Sequence, residues 1–238
     1  MQRLGRAELT VGFEWRDKDT RSFFDQMGFP TYRADRLGLT SLNPRLRVPF
    51  SLGATAHTLL VGVDWYAWRW RSRRTNAPEN LAEPINRVTI DEDLRAFYVH
   101  DTIDLDPRTL ATLGWRVERV RYAGDDELDP LAPGFFFNSA APPTRETERQ
   151  HAWEIGLRRR LGAAWTLFAR AERSFRFANA EEIYENDRFF NAQFQILRPQ
   201  RARTYQAGAE WRADGARLRG TLFRTDVADE IHLDPFTF

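Results

Sequence analysis

The sequence has no cysteine, a single lysine and no long apolar run. Without cysteine, disulfide bonds and thiol chemistry are excluded. A membrane-spanning helix needs about 18 or more consecutive apolar residues, and no segment of the chain has them. The 35 basic and 34 acidic residues leave a net charge of +1, so no bulk charge attracts nucleic acid. Composition therefore excludes a disulfide-stabilised scaffold and a helical membrane protein, and it argues against a nucleic-acid partner.

Apolar and polar residues alternate in the first clear segment of the chain. Its odd-numbered positions carry Ala7, Leu9, Val11, Phe13 and Trp15, whereas the even-numbered positions are glycine, polar or charged. Because successive side chains of a strand point to opposite faces, the segment predicts a strand with one apolar and one polar face. A half-buried strand of a soluble β-sandwich would show the same pattern. The arrangement of all segments must therefore distinguish the two folds.

Similar patterns recur along the chain and predict an all-β protein of about nine antiparallel strands. The predicted strands cover residues 5–16, 33–43, 57–71, 90–104, 109–122, 151–161, 164–176, 203–212 and 217–229. Short strands separated by turn-forming residues are compatible with a sandwich or with a barrel. The lengths of the connections between strands distinguish a barrel from a sandwich.

The connections between predicted strands are short and long in turn. Those after the second, fourth, sixth and eighth strands are mostly tight, and they carry the turn formers Asp106-Pro107, Gly162 and Asp214-Gly215. Those after the first, third, fifth and seventh strands run to about 15 to 28 residues, which is long for a compact soluble domain. Short turns at one rim and long loops at the other are expected of an outer-membrane β-barrel. A sandwich would instead have turns of similar length at both ends.

Aromatic residues make up 13% of the chain, with eight Trp among them, although the mean hydropathy is only -0.58. A barrel tolerates this polar average because only every second strand residue meets lipid. Trp and Tyr favour membrane interfaces, so we predict two aromatic girdles. One, near the long loops, comprises Trp15, Trp68, Trp70, Tyr122 and Trp153; the other, near the tight turns, comprises Trp165 and Trp211. Trp115 is less diagnostic, and ordinary aromatic core packing is the alternative.

Five stretches, taken in their order and spacing, carry a family resemblance. They are residues 57–64; 96–102 with 110–118; 165–184; 197–200 with 204–208; and 222–227 with 229–231. Together these stretches, which span most of the chain, resemble the barrel of TonB-dependent outer-membrane receptors. The resemblance implies a bacterial outer-membrane location, with membrane lipid around the strands. It also implies an intact relative that actively imports a ferric siderophore or a similar scarce ligand when the TonB complex acts on its plug domain.

The chain differs from such receptors in extent. Their barrel has about 22 strands and encloses an N-terminal plug with a TonB-contacting box, and neither plug, box nor signal peptide is recognisable in the sequence. We therefore expect residues 1–238 to form a partial TonB-dependent receptor β-barrel domain. Such a fragment should be an open, curved antiparallel sheet rather than a closed barrel. TonB would act through a plug domain absent from this chain.

Aromatic residues of the predicted extracellular loops are the candidate ligand contacts. If the ligand is a ferric chelate, the resemblance suggests Phe135, Phe136, Phe137, Tyr184, Phe189 and Phe190. Tyr184 stands among acidic residues between positions 181 and 187, which predicts a polar loop mouth with an aromatic ring in it. The simpler alternative is that these aromatic residues only pack the loops together.

No catalytic site, metal site or cofactor is predicted. The four His lie on separate segments without metal-site spacing. A hydrolase could place Ser174 and His151 on neighbouring strands, but nothing else in the sequence links them. A passive porin-like channel is the main functional alternative, because it would share the strands, girdles and loops of an importer and would lack a plug.

Overall fold

The computed structural model describes residues 2–4, 7–26, 28–135, 138–186, 191–213 and 215–231. Strands account for most of this part of the chain. They are β1 (Gln2–Leu4), β2 (Ala7–Gln26), β3 (Phe29–Leu52), β4 (Thr55–Thr75), β5 (Asn86–Asp106), β6 (Thr109–Leu128), β7 (Thr144–Leu161), β8 (Trp165–Arg176), β9 (Tyr184–Asn186), β10 (Ala192–Phe194), β11 (Gln200–Ala213) and β12 (Ala216–Ala228). Two short 3₁₀ helices, Pro78–Ala82 and Ala180–Glu182, lie in loops. In the described part, no helix is both long and apolar enough to cross a membrane.

Ten strands form one antiparallel sheet whose order follows the chain. The order is β1-β2-β3-β4-β5-β6-β7-β8-β11-β12, and β9 and β10 pair separately as a small hairpin within the loop between β8 and β11. Among the described residues no pairing joins β12 to β1 or β2. The prediction of an open antiparallel sheet is therefore confirmed, as are all nine predicted strands, although most of them are longer than expected.

The first connection contradicts the sequence prediction. A long loop was expected between residues 16 and 33, but β2 and β3 continue through it in unbroken register, from Asp17 opposite Gly38 to Gln26 opposite Phe29. Only residues 27 and 28 separate the two strands, and Gly28 has a φ of 85°, a conformation that suits glycine at a tight turn. The prediction was wrong because charged side chains beyond Trp15 interrupt the apolar pattern without ending the strand.

The two faces of the sheet have different compositions. Cross-strand partners share a face, and the register places most of the exposed large apolar side chains on one of them, which we call the apolar face. Its members include Val11, Phe13, Trp15, Leu42, Val63, Phe97, Leu113, Trp115, Ile155, Leu157, Trp165, Leu167, Tyr205, Leu218 and Leu222. The opposite or polar face carries charged networks and most of the buried side chains. This division follows the period of two that the sequence shows.

The structure corrects part of the predicted girdle. Trp15, Trp115, Trp153, Trp165 and Trp211 belong to the apolar face, as interfacial residues should. In contrast, Trp68, Trp70 and Tyr122 lie on the polar face, because Trp68 and Tyr122 both stand opposite Glu92. Trp70 and Tyr122 are buried there. The girdle prediction was wrong for these three residues because distance to a loop does not reveal which face a side chain occupies.

Glycine on the polar face lets large side chains lie flat against the sheet. Gly62 is opposite Tyr98, and a Cβ built on Gly62 would stand 2.4 Å from the Tyr98 ring. Likewise a Cβ on Gly208 would stand 2.5 Å from the ring of Phe168 on the neighbouring strand. These positions require glycine for space, since the ring of one strand covers the backbone of the next.

Candidate functional site

A hydrophobic core lies on the polar face where β4, β5 and β6 meet the long loops. We call this end of the sheet, where the long loops lie, the outer end. We call the core itself the loop core, because segments of the two longest loops close over the strands. Its buried members are Trp70, Val88, Ile90, Val120, Tyr122, Ala141, Ala178, Ala180, Ile183, Tyr184 and Ala192. The strand residues project from the polar face, and the alanines and Ile183 come from loops. Burial of these apolar groups holds the long loops against the wall instead of leaving them in solvent.

A buried carboxylate joins the parts of the loop core. Asp126 on β6 accepts hydrogen bonds from Asn86 Nδ2 at 3.0 Å, from the Ala141 backbone N–H at 2.9 Å and from the Tyr184 hydroxyl at 2.7 Å. Tyr122 adds a second link, because its hydroxyl donates to the Ala178 carbonyl at 2.6 Å. A buried carboxylate is tolerated only when its oxygens are hydrogen-bonded. Asp126 therefore connects β5, β6 and both long loops.

Tyr184, a predicted ligand contact, lies inside this core and is only 7% exposed. Its ring packs against Trp70 and Phe194, with centroid distances of 6.4 and 5.3 Å, and the Arg74 guanidinium lies 4.1 Å from its centroid. Burial raises the pKa of Tyr184 above its ordinary value, so the hydroxyl stays protonated and can donate to Asp126. In this arrangement Tyr184 packs the loops together, and its direct contact with a ligand stays a prediction.

The remaining predicted contacts lie in two loops. Phe135 is half-buried in the loop between β6 and β7, where its backbone N–H donates to the Ala132 carbonyl at 3.1 Å. That loop is tied to the preceding one by Asn76 Nδ2, which donates to the Gly134 carbonyl at 2.6 Å. Four predicted contacts lie outside the described residues: Phe136, Phe137, Phe189 and Phe190.

No sequence pattern predicted the cluster of buried polar groups that lies next to the loop core. In the described part of the chain, nine buried side-chain nitrogen or oxygen atoms lack a hydrogen-bond partner, and eight of them gather at the outer ends of β2, β3 and β4. These eight, the orphan polar cluster, belong to Ser22, Arg33, Asp35, Trp70, Ser72, Arg74, Thr75 and Asn76. Buried polar atoms are normally hydrogen-bonded. The cluster therefore groups buried donors and acceptors that the described residues leave without a hydrogen bond.

Two arginines face each other at the centre of the orphan polar cluster. Arg33 of β3 is directly opposite Arg74 of β4 and also opposite Ser22 of β2. Arg33 Nε lies 2.7 Å from Asp35 Oδ2, an ion pair whose geometry leaves the Nε–H without a proper hydrogen bond. Like charges placed directly opposite in a sheet are unfavourable. The two guanidinium groups therefore place two positive charges side by side, and Asp35 pairs with Arg33 while Arg74 packs on the ring of Tyr184.

Below the loop core the polar face is held by ion pairs. Arg116 lies 2.6 Å from Asp64 and its Nε donates to Glu118 at 2.7 Å, while Asn43 Nδ2 donates to Asp64 at 3.1 Å. His100 lies 2.8 Å from Glu154. These contacts cross four neighbouring strands, β3 to β6, and then reach β7. These contacts pair the polar and charged side chains of the polar face with one another.

The structure separates His151 from Ser174, the pair that a hydrolase could have used. His151 occupies the apolar face, opposite Val117, and contacts Arg173, whereas Ser174 follows Arg173 and therefore points to the polar face. The adjacency that a hydrolase would need between Ser174 and His151 does not occur. Among the described residues no group of three or more His, Cys, Asp or Glu could hold a metal ion.

Comparisons with known proteins agree with this architecture. The family model described as TonB dependent receptor-like, beta-barrel matches residues 3–238. A search of curated proteins gave no match. Among solved structures, the closed form of the ferric-catecholate import receptor Fiu from E. coli K12 is 14% identical with a TM-score of 0.70, covering 98% of this chain and 40% of that one.

Two further solved structures have the same fold. The unliganded ferric citrate transporter FecA is 16% identical with a TM-score of 0.71, covering 93% of this chain and 32% of that one. The ferric yersiniabactin uptake receptor FyuA from Yersinia pestis is 11% identical with a TM-score of 0.67, covering 94% of this chain and 34% of that one. The chain thus spans well under half the length of the solved receptors it matches.

Proposed function

Because the chain belongs to the TonB-dependent receptor β-barrel family, whose members are outer-membrane transporters and not enzymes, we propose that it forms part of the barrel wall of an active importer. The ligand that we propose is a ferric siderophore or a similar scarce chelate. In this proposal the apolar face meets outer-membrane lipid and the polar face lines the interior of the barrel. The TonB complex would drive import through a plug domain.

The family match over residues 3–238 carries the proposal. The arrangement of the polar face supports it, because loops that fold over this face would present their side chains to a ligand entering from outside. We propose that the ligand meets the orphan polar cluster and the aromatic loop residues together. Arg33 and Arg74 would then bind the anionic groups of a chelate, and Phe135, Phe136, Phe137, Tyr184, Phe189 and Phe190 would pack against it.

A passive channel is the second candidate, because the long polar strands and the open sheet would also suit a pore. The two functions differ in their energy requirement. An importer of this family needs an energised inner membrane, whereas a passive channel follows the concentration gradient. The loop core favours the importer, since it covers the outer end of the polar face where a pore would need an open entrance.

The test is uptake of radioactive iron by iron-starved cells that carry or lack the gene encoding this chain. We expect chelate-bound iron to accumulate only when the gene is present and only while the proton gradient is intact. Collapsing the gradient should stop accumulation. Uptake that continues without the gradient would support the passive channel, and identical uptake with and without the gene would reject transport of that chelate.

A pair of variants locates the ligand. Replacing Arg33 and Arg74 with Gln should reduce uptake by weakening ligand binding. The matched control replaces Arg45 and Arg47 with Gln, which removes the same charge from the exposed polar face of β3, far from the loop core. Equal loss in both variants would mean that overall charge, and not the orphan polar cluster, matters for uptake.

A further inference from the structure

The exposed apolar side chains of the apolar face form a band across the strands, which we call the apolar belt. On β5, β6 and β7, three arginines stand in one row directly on the long-loop side of this belt. Arg95 of β5 is directly opposite Arg119 of β6, which is directly opposite Arg149 of β7. We call these residues the arginine row. Side chains directly opposite each other in a sheet have Cβ atoms about 5 Å apart, so like charges there are destabilising. An arrangement that places three cations side by side calls for a neutralising partner.

Ion pairs among the described residues neutralise only one end of the row. Arg95 Nε lies 2.8 Å from Asp93, whereas the ion pairs of the described residues include neither Arg119 nor Arg149. All three arginines are exposed. The next arginine outward, Arg121, is opposite Asp93 and is exposed as well. The β6 and β7 side of the row therefore presents uncompensated positive charge to its surroundings.

The height of the row matches the headgroup layer of a membrane. Four residues closer to the tight turns lies an apolar row of Val99, Trp115 and Trp153, and the intervening row holds Phe97, Val117 and His151. Two residues along a strand span about 7 Å, and the headgroup layer extends about 5 to 8 Å beyond the hydrocarbon. If Phe97 and Val117 mark the upper edge of the hydrocarbon, the arginine row lies among the headgroups.

We propose that the arginine row binds the phosphate groups of an anionic, acylated lipid of the surrounding membrane. Guanidinium groups bind phosphate oxygens in pairs, which suits Arg better than Lys. The acyl chains of the lipid would lie against Phe97, Val117 and Trp115, which continue directly below the row. The inference rests on the proposed contact of the apolar face with membrane lipid. It does not depend on which molecule is transported, because the site lies on the opposite face of the sheet from the proposed ligand site.

The lipid is favoured over a soluble anion because charge and apolar surface are adjacent. A free phosphate would use the arginines alone and would gain nothing from the exposed rings of Phe97 and Trp115, which are 42% and 41% exposed and 6.3 Å apart. An amphiphile uses both surfaces at once. The proposal therefore predicts that binding requires phosphate and acyl chains in the same molecule.

The experiment is a native mass spectrometry titration of the whole 238-residue chain in a neutral detergent. The probe is diphosphoryl lipid A, and its dephosphorylated form is the ligand control. Loss of one Arg at a membrane surface weakens electrostatic lipid binding by about fivefold, so loss of two should weaken it by about 30-fold. We therefore expect this loss for the double variant Arg119→Gln/Arg149→Gln. The double variant Arg119→Lys/Arg149→Lys keeps the charge without the guanidinium fork and should lie between.

The matched protein control is Arg45→Gln/Arg47→Gln, which removes the same charge from the other face and should bind as the parent chain does. Circular dichroism confirms that each compared variant retains strand structure, and the Lys variant serves if the Gln variant does not. Unchanged lipid binding by the arginine-row variants would overturn the proposal. So would equal binding of the dephosphorylated lipid, an equal loss in the control, or complete displacement of the lipid by inorganic phosphate.

Discussion

The apolar and polar faces of the same strands are stabilised in different ways. On the apolar face, side chains such as Val11, Phe13 and Leu222 are 55%, 70% and 83% exposed, and most have only their cross-strand neighbours to pack against. On the polar face, side chains such as Val120 and Ile90 are completely buried beneath loops. Side chains of the apolar face are open to the medium around the sheet, whereas many side chains of the polar face are covered by loops of the chain itself. The effect of a substitution on the apolar face should therefore depend on the medium around the sheet, whereas the effect of one on the polar face should depend on the loops.

One position breaks the rule for the apolar face. Asp101 lies in the apolar belt, opposite Leu59 and Leu113, and would be costly there without a partner. His57 Nδ1 lies 2.7 Å from its carboxylate, and His57 Nε2 lies 2.9 Å from the Thr55 hydroxyl. The ring of Phe50 stacks on His57 at 4.7 Å. His57 thus pairs with one oxygen of this carboxylate, Oδ2, whereas Oδ1 is buried without a hydrogen-bond partner among the described residues.

The largest expected effect is the difference in stability between the same substitution made on the two faces of one strand. Ala207→Arg places a cation in the apolar belt and should destabilise the chain by about 2 to 4 kcal/mol in a bilayer. Thr204→Arg places the same side chain on the polar face, opposite Glu172, and should change stability by less than about 1 kcal/mol. Denaturant unfolding of the reconstituted chain measures both. Equal destabilisation of the two variants would contradict the assignment of the faces.

The next effect tests the loop core. Tyr184→Phe removes the hydroxyl that donates to Asp126, which leaves a buried carboxylate with one partner fewer. We expect a loss of about 1 to 3 kcal/mol. Limited proteolysis should show faster cleavage between β8 and β11, while the strands stay protected. The control Tyr205→Phe changes an exposed tyrosine of the apolar face, and it should leave loop cleavage unchanged.

A smaller effect tests the close approach at Gly62. Gly62→Ala puts a methyl group into the space of the Tyr98 ring, and we expect a loss of about 1 kcal/mol, at the low end for overpacking, because the ring end can move. The double variant Gly62→Ala/Tyr98→Ala removes the clash and should show less than the sum of the two single losses. Thermal unfolding of the four proteins gives the coupling. If the stability losses of the two single variants simply add in the double variant, this would argue against a contact between position 62 and the Tyr98 ring.

The smallest effect concerns the tight turn between β5 and β6. Hydrogen bonds from the Arg108 backbone N–H and the Thr109 hydroxyl lower the pKa of Asp106 below its ordinary value. A lowered pKa means that this stabilisation is present above the unfolded pKa of 3.8 and is lost as pH falls through the folded value. In Asp106→Asn, the melting temperature should therefore fall less steeply as the pH drops below about 4. An unchanged dependence of the melting temperature on pH would show that other carboxylates dominate it.

Much of the strand arrangement could be predicted because it is local. Alternation with a period of two specified the strand character of each segment, and turn formers such as Gly162 and Asp106-Pro107 marked the hairpins. The same reasoning failed between β2 and β3, where the two strands keep their ladder beyond Trp15 although the alternation of apolar and polar residues ends there. The sequence pattern reports the environment of a strand, and it does not report where backbone pairing ends.

The candidate site was less predictable because it depends on contacts between distant segments. The sequence alone determined an all-β chain with one apolar face, tight turns at one rim and, after the first connection, long loops at the other, since these follow from residue period and turn chemistry. The open edges were expected only from the resemblance to a longer barrel. Only the tertiary structure decided that Trp70, Tyr122 and Tyr184 meet around Asp126, that Arg33 faces Arg74, and that three arginines align on the other face. Those positions depend on strand register and loop folding, which bring together residues that no local pattern connects.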